Sequence, residues 1–311
     1  MALRVVILWR LPAAFMLAAA FALLPAARAA PAAVADQPVY ALPSTRDRIG
    51  RIVAPVYVND QGPFLFMLDT GANRTVLADE TVRRLGLTAM ASTVGVQGVN
   101  GRAVSSAVAV ERLTAGELRL ENIVLPILTG PVLDRIDGIL GMDALAGKKI
   151  TADFVRDRIV IAEADGRRAA HGRIVLRGQL LAGMLLMVAG RVGSVAVKAV
   201  IDTGGMHTLG NAALLQALSS RRLLSGPSRM SSVIDATENL QIGNVNVAPL
   251  IALGNAMVRN TIIICGDFEI FRVWGLDDEP ALLIGMDVLG TLAEVAIDYR
   301  RRELQLLTRG S

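Results

Sequence analysis

Short apolar runs separated by Gly, Asn and Pro fill the chain from about residue 45 onward, with the spacing of strands rather than helices. Ile52 to Val58 and Phe64 to Leu68 are two such runs, and Leu180 to Gly190 reads as one buried strand. That last stretch is too short to cross a bilayer as a helix, which needs about 20 residues. Helical patterning is brief. Ala78 to Leu85 carries Asp79 and Glu80 at its start, Arg83 and Arg84 at its end and Gly86 beyond, which suits the helix dipole and a glycine stop. Asn211 to Ser219 is a second helical segment, with Asn211 as its N-cap. The predicted fold class is all-β with short helices, not alternating βαβ.

The pattern also repeats. Leu68-Asp69-Thr70-Gly71-Ala72-Asn73-Arg74-Thr75 returns as Ile201-Asp202-Thr203-Gly204-Gly205-Met206-His207-Thr208. Gly138-Ile139-Leu140-Gly141-Met142-Asp143-Ala144-Leu145 returns around Leu283-Ile284-Gly285-Met286-Asp287-Val288-Leu289. Thr151-Ala152-Asp153-Phe154 is matched by Ala296-Ile297-Asp298-Tyr299. Three landmarks in one order predict an internal duplication. The offsets rise from 133 at Asp202 to 144 at Gly285, so extra residues are expected in the second copy, within Asn255 to Pro280. The predicted organisation is an N-terminal lobe at 45–163, a polar linker at 164–172 and a C-terminal lobe at 173–311, after an Ala- and Pro-rich extended lead-in at 30–44.

Residues 1–29 have the order of a secretory signal peptide: Arg4 and Arg10, an apolar run from Leu11 to Leu24, then Ala27-Arg28-Ala29. An exported, periplasmic or secreted protein is expected, without a stable membrane anchor once the leader is cut. The leader bears on the charge. The chain has 32 Lys and Arg against 28 Asp and Glu, but three of the basic residues lie in the leader, leaving 29 against 28. So balanced a surface disfavours nucleic acid as a partner. A single Cys excludes an intramolecular disulfide and a Cys-cluster metal site.

The candidate chemistry lies in Asp-Thr-Gly occurring twice. A given tripeptide arises by chance on the order of once in several thousand positions, so two copies in equivalent contexts are a strong signal. Two carboxylates brought to a twofold axis share one proton; one acts as base toward a water, the other as acid toward an amide carbonyl. The Thr hydroxyl reaches the partner loop's backbone, and Gly lets the loop turn tightly beside the acid.

These residues resemble the aspartic peptidase family, in its retropepsin-like and pepsin-like branches. The likeness runs from about residue 45 to the C-terminus and is similar to the bacterial exported members with two such lobes in one chain. It implies two pseudo-symmetric β-barrel lobes and an endopeptidase in which Asp69 and Asp202 are the catalytic pair. Thr70, Thr203, Gly71 and Gly204 would support them. It implies no cofactor and no metal, an extended peptide or protein as substrate, and a monomer. The hairpin candidate around Asn100-Gly101 matches the family's substrate flap, with Gln97, Gly98, Val99, Asn100 and Gly101 at its tip. Arg229 to Gly243 lacks a comparable glycine cluster, so one flap is expected rather than two. Ala72 and Gly205 follow the two triplets, so neither position donates a hydroxyl to the carboxylates, and a mildly acidic working range is expected. The reading from a different class is a catalytically silent peptide-binding module on the same fold.

Other features fit structural roles. Gly141 through Lys149 departs from a phosphate loop in glycine spacing and lacks its Ser or Thr. His171 falls in the linker, His207 is read as an ordinary loop side chain, and Cys265 as a small buried hydrophobe. Asp143 and Asp287 are read as acids at helix starts, Asp153 and Asp298 as turn acids.

Overall fold

Inward and outward side chains alternate along Ile52–Val58, which pairs antiparallel with Gln61–Leu68 through Val53 with Met67 and Val56 with Phe64. The two-residue turn between them places Asn59 and Asp60 at positive φ, as the favoured hairpin turn requires. The computed structural model describes residues 41–43, 45–46, 50–182 and 184–310. The 1–29 leader, and the 30–44 lead-in apart from 41–43, lie outside the described residues. The molecule is all-β with short helices.

From the first hairpin the pairings run in a fixed order. Gln61–Leu68 lies parallel to Gly138–Leu140, which is antiparallel to Val76–Ala78. Val76–Ala78 is parallel to Leu118–Leu128, which pairs with Arg102–Ala115, and that strand with Ala89–Gln97. The second half repeats the series: Val195–Ile201, Ala281–Ile284, Thr208–Gly210, Ile262–Cys265, Leu240–Val247 and Ser225–Ile234, with the same parallel and antiparallel senses. In each half an Asp-Thr-Gly triplet leaves the end of a central strand whose neighbour is the apolar-apolar-Gly segment.

Hydrogen bonds join the halves. Lys148–Asp153 of the first half pairs with Glu294–Asp298 of the second, Ile150 opposite Ile297, so one 15-stranded sheet runs through both. One apolar cluster takes Val56, Phe66 and Leu140 from the separate 8-stranded sheet of the first half and Ile201, Phe271 and Leu283 from the second half, all under 4% exposed. Each such side chain contributes about 1.5–3 kcal/mol by leaving water. Cys265 is buried among them, and burial pushes its thiol up to about 12, so it behaves as a small hydrophobe.

Local signals hold in the helices. Asp79–Arg84 ends at Gly86, whose φ is +64°, and Asn211 caps Ala212–Ser220 by accepting the Leu214 N–H at 2.9 Å. Leu180 to Gly190 is a correction: it is the end of one strand, Ile174–Leu181, and most of another, Leu185–Val192, with Ala182 at positive φ in the turn. Both strands are apolar, so the hydrophobic run passes through the turn unbroken. About half of the extra residues of the second half fall at 266–280, where helix Glu269–Val273 stands in place of the 3-10 turn Pro131–Leu133 of the first half, and the rest lie before Cys265. No helix among the described residues is long and apolar enough to cross a membrane.

Candidate functional site

Each triplet begins where a central strand ends. The Asp69 N–H donates to the Leu140 carbonyl at 3.1 Å and the Asp202 N–H to that of Ile284 at 3.0 Å, so the strand pairing extends to the acids themselves. The loops then turn around their own carboxylates. Asp69 Oδ1 accepts the N–H groups of Gly71 (2.8 Å) and Ala72 (2.9 Å), and Asp202 Oδ1 those of Gly204 (2.8 Å) and Gly205 (3.0 Å).

The threonines cross over. Thr70 Oγ1 donates to the Ile201 carbonyl at 2.9 Å and accepts the Thr203 N–H at 3.1 Å; Thr203 Oγ1 donates to the Leu68 carbonyl at 2.7 Å and accepts the Thr70 N–H at 3.1 Å. The glycines stand against the opposite acid. A Cβ at Gly71 would lie 2.7 Å from Asp202 Cγ, and one at Gly204 only 2.2 Å from Asp69 Cγ, closer than carbon atoms pack. The predicted residues Asp69, Thr70, Gly71, Asp202, Thr203 and Gly204 therefore meet at one place, with the two carboxyls facing each other.

Removal from water is the main force on both acids. It lifts Asp202 well above the usual carboxylate range, with the Asp69 charge adding to it. It also raises Asp69, against hydrogen bonds from Asp202, Gly71 and Ala72 and the nearby charge of Arg51 that pull the other way. The pair thus holds one proton between two facing carboxyls to higher pH than a solvated Asp would. Arg51 is itself buried and donates to the Val132 carbonyl at 2.6 Å.

The supports of these loops include residues to which the sequence reading gave no role or a different one. Asp143 Oδ1 accepts from the Thr75 hydroxyl at 2.6 Å and the Thr75 N–H at 2.8 Å, while Thr75 Oγ1 accepts the Gly141 N–H at 3.1 Å. The second half repeats this with Thr208, Asp287 and Gly285. These acids tie the far end of each triplet loop to its neighbouring segment, a role beyond complementing a helix dipole. Gly141 is fixed by packing, since a Cβ there would come 2.4 Å from the backbone of Arg74. The repeated Thr, four residues past the Gly of each Asp-Thr-Gly, was the available signal. Asp153 and Asp298 hold turns as expected, accepting N–H groups of Val155, Arg156 and Arg301.

The hairpin of Ala89–Gln97 and Arg102–Ala115 closes on a four-residue tip, Gly98 to Gly101, where the Gly98 N–H donates to the Gly101 carbonyl at 2.8 Å. The tip reaches the other half. Asn100 donates its N–H to Asp235 at 2.7 Å and its amide to the carbonyls of Val233 (2.7 Å) and Asn239 (2.8 Å). The Val99 carbonyl accepts the Ile270 N–H at 3.0 Å. Gly98 and Gly101 serve close approach here, because a Cβ on Gly98 would lie 2.3 Å from Asp235 Oδ2 and one on Gly101 3.0 Å from Asn239.

Asp235 and Asn239 belong to the tip of a second hairpin, Ser225–Ile234 with Leu240–Val247, topologically equivalent to the first. Its Glu238 accepts from Thr129 Oγ1 at 2.8 Å in the first half. Two interlocked hairpins replace the single one expected, because the second takes its turn from Asp235 and a left-handed Glu238 instead of glycine. Breaking the clasp should free both tips locally without unfolding the molecule. In Asn100→Ala, amide exchange at residues 98–101 and 235–239 is expected to rise about 10-fold while the melting temperature moves little. Unchanged exchange at both tips would mean the clasp does not hold them.

Residues 54–144 match the family model described as aspartyl protease, a segment that includes Asp69, the first hairpin and Gly141. A comparison with curated proteins finds no match. The family match supports an aspartyl protease family for this chain.

Proposed function

We propose that this protein is an aspartic endopeptidase that hydrolyses peptide bonds with a water activated between Asp69 and Asp202. The observation that carries this is the facing carboxyl pair, Asp69 held by the N–H groups of Gly71 and Ala72 and Asp202 by those of Gly204 and Gly205, a geometry in which the two acids share one proton. The ionised carboxylate takes a proton from water as its oxygen attacks the substrate carbonyl carbon, and the protonated partner gives its proton to the carbonyl oxygen. The tetrahedral diol then collapses, the C–N bond breaks and the amine leaves with a proton from the dyad. No covalent enzyme intermediate forms. A substrate strand lies extended beneath the hairpins, its backbone bonded to them.

The wider setting is also part of the proposal. The leader pattern of residues 1–29 supports export to the periplasm or outside the cell, and the repeated landmarks support a duplicated ancestral lobe and a monomeric enzyme that carries both acids in one chain.

The test is digestion of a diverse peptide mixture by the protein from pH 3 to 8, beside Asp69→Asn and Asp202→Asn. Cuts made only by the unaltered protein are expected, with the maximum rate above pH 4 because both carboxyls titrate above the solvated value of about 3.9. A maximum below about pH 3 would contradict the raised carboxyl pair. Folded, silent protein across the range would instead favour a peptide-binding module.

A further inference from the structure

A cavity of about 350 Å3 opens beside Gly71, under the first hairpin and against the second half of the molecule. Its far wall is apolar, made by Met184, Leu185, Val273 and Trp274. Val273 and Trp274 come from the end of the helix that only the second half carries. The corresponding corner of the first half is different. Arg51 stands two residues before Val53, the partner of Met67, as Leu185 stands two before Met187, the partner of Val200. Its guanidinium is bound to the Val132 carbonyl, so the apolar hollow is one-sided.

One charged residue lines this cavity, Arg102 at the base of the hairpin tip. Its Nε–H donates to Gln97 Oε1 at 2.5 Å, and no carboxylate among the described residues forms an ion pair with it. The Nη groups remain as a planar donor fork at an exposed position beside an apolar wall, where an incoming carboxylate meets parallel N–H donors in a partly screened pair.

Resting on the peptidase reading, we infer that this cavity fixes substrate choice: it takes a bulky apolar side chain, while Arg102 takes the carboxylate of an acidic residue two positions along the same peptide, since alternate side chains of an extended strand share a face. The preferred substrate is then an extended segment with a large apolar residue and an Asp or Glu two positions from it. The Gln97 bond holds the guanidinium in place, and Val273 sets the depth of the hollow.

Peptides prepared in pairs, identical except for Glu or Gln two positions from a Leu or Phe, test this. The unaltered protein should cleave the Glu member about 3- to 10-fold better in kcat/KM, as a partly screened ion pair allows. In Arg102→Gln that ratio should fall to about 1 whatever the absolute rate, and Arg102→Lys should restore part of it. Val273→Phe, at a position 43% exposed, fills the hollow and should move the choice from Phe toward Ala at the position two residues from the same acid. A Glu-to-Gln ratio that survives in Arg102→Gln overturns the inference. The same ratios are read as affinities, by anisotropy of labelled peptides on Asp69→Asn protein. A Glu preference in binding without any cleavage by the unaltered enzyme would sink the peptidase reading and leave the subsite standing; equal affinity for both members would sink the subsite.

Discussion

Replacing either aspartate of the pair with asparagine should abolish peptide cleavage while leaving the protein at least as stable as before. The catalytic loss should reach about 100- to 10,000-fold, the range for removing a group that moves a proton in the transition state. The stability moves the other way because the two carboxyls oppose folding where they stand. Both are raised by lost hydration, and Asp202 also by the charge of Asp69. Asparagine keeps the carbonyl oxygen that accepts from Gly71 and Ala72, or from Gly204 and Gly205, and removes the mutual repulsion. The pH dependence follows from the same shift. Unfolded carboxyls titrate near 3.9, so between about pH 4 and the raised value the folded pair binds more protons than the unfolded chain. Stability of the unaltered protein therefore falls as pH rises through that window, and this fall should shrink in Asp202→Asn. Urea unfolding at pH 4 and pH 7 beside a cleavage assay checks both arms. A variant that keeps a tenth of the cleavage rate, or loses stability at pH 7, would break the link between the facing carboxyls and the chemistry.

The place of the site was legible because local and repeated signals coincide there. Asp69 and Asp202 each follow an apolar strand, and the expectation that each threonine hydroxyl reaches the partner loop's backbone is met at Ile201 and Leu68. Helix ends were readable for the same reason, since Asn211 and Gly86 act within a few residues of themselves. What escaped depends on contacts far apart in the chain. Asp143 lies 68 residues from Thr75, and nothing in the hydrophobic period ties them. The turn inside Leu180 to Gly190 was hidden because apolar strands flank it on both sides. The second hairpin lacked the glycines that marked the first, so its tip became visible only through the Asp235 carboxylate and the carbonyls of Val233 and Asn239 that Asn100 binds.

The crossed threonines give the second large effect. In Thr203→Val the side chain keeps its shape but the hydroxyl that donates to Leu68 and accepts from Thr70 is gone. Both threonines are at most 3% exposed, so water does not replace those bonds. A buried N–H or carbonyl left without this partner costs about 1–3 kcal/mol, which puts the change at roughly 2–5 kcal/mol. That is a large share of the stability of a folded chain, about 5–15 kcal/mol in all. Thr203→Ser keeps the hydroxyl and should lose less than about 1 kcal/mol. Thr70→Val mirrors the defect through two other bonds, to the Ile201 carbonyl and the Thr203 N–H, and because both pairs hold the same crossing the double variant should lose less than the two single losses combined. Activity follows the same line: each threonine adjoins an aspartate, so loosening the crossing lets the carboxyls drift apart and kcat falls in variants still folded at the assay temperature. If Thr203→Val unfolds within about 0.5 kcal/mol of the unaltered protein, the crossing is decoration and the two triplets are held face to face by the surrounding sheet alone.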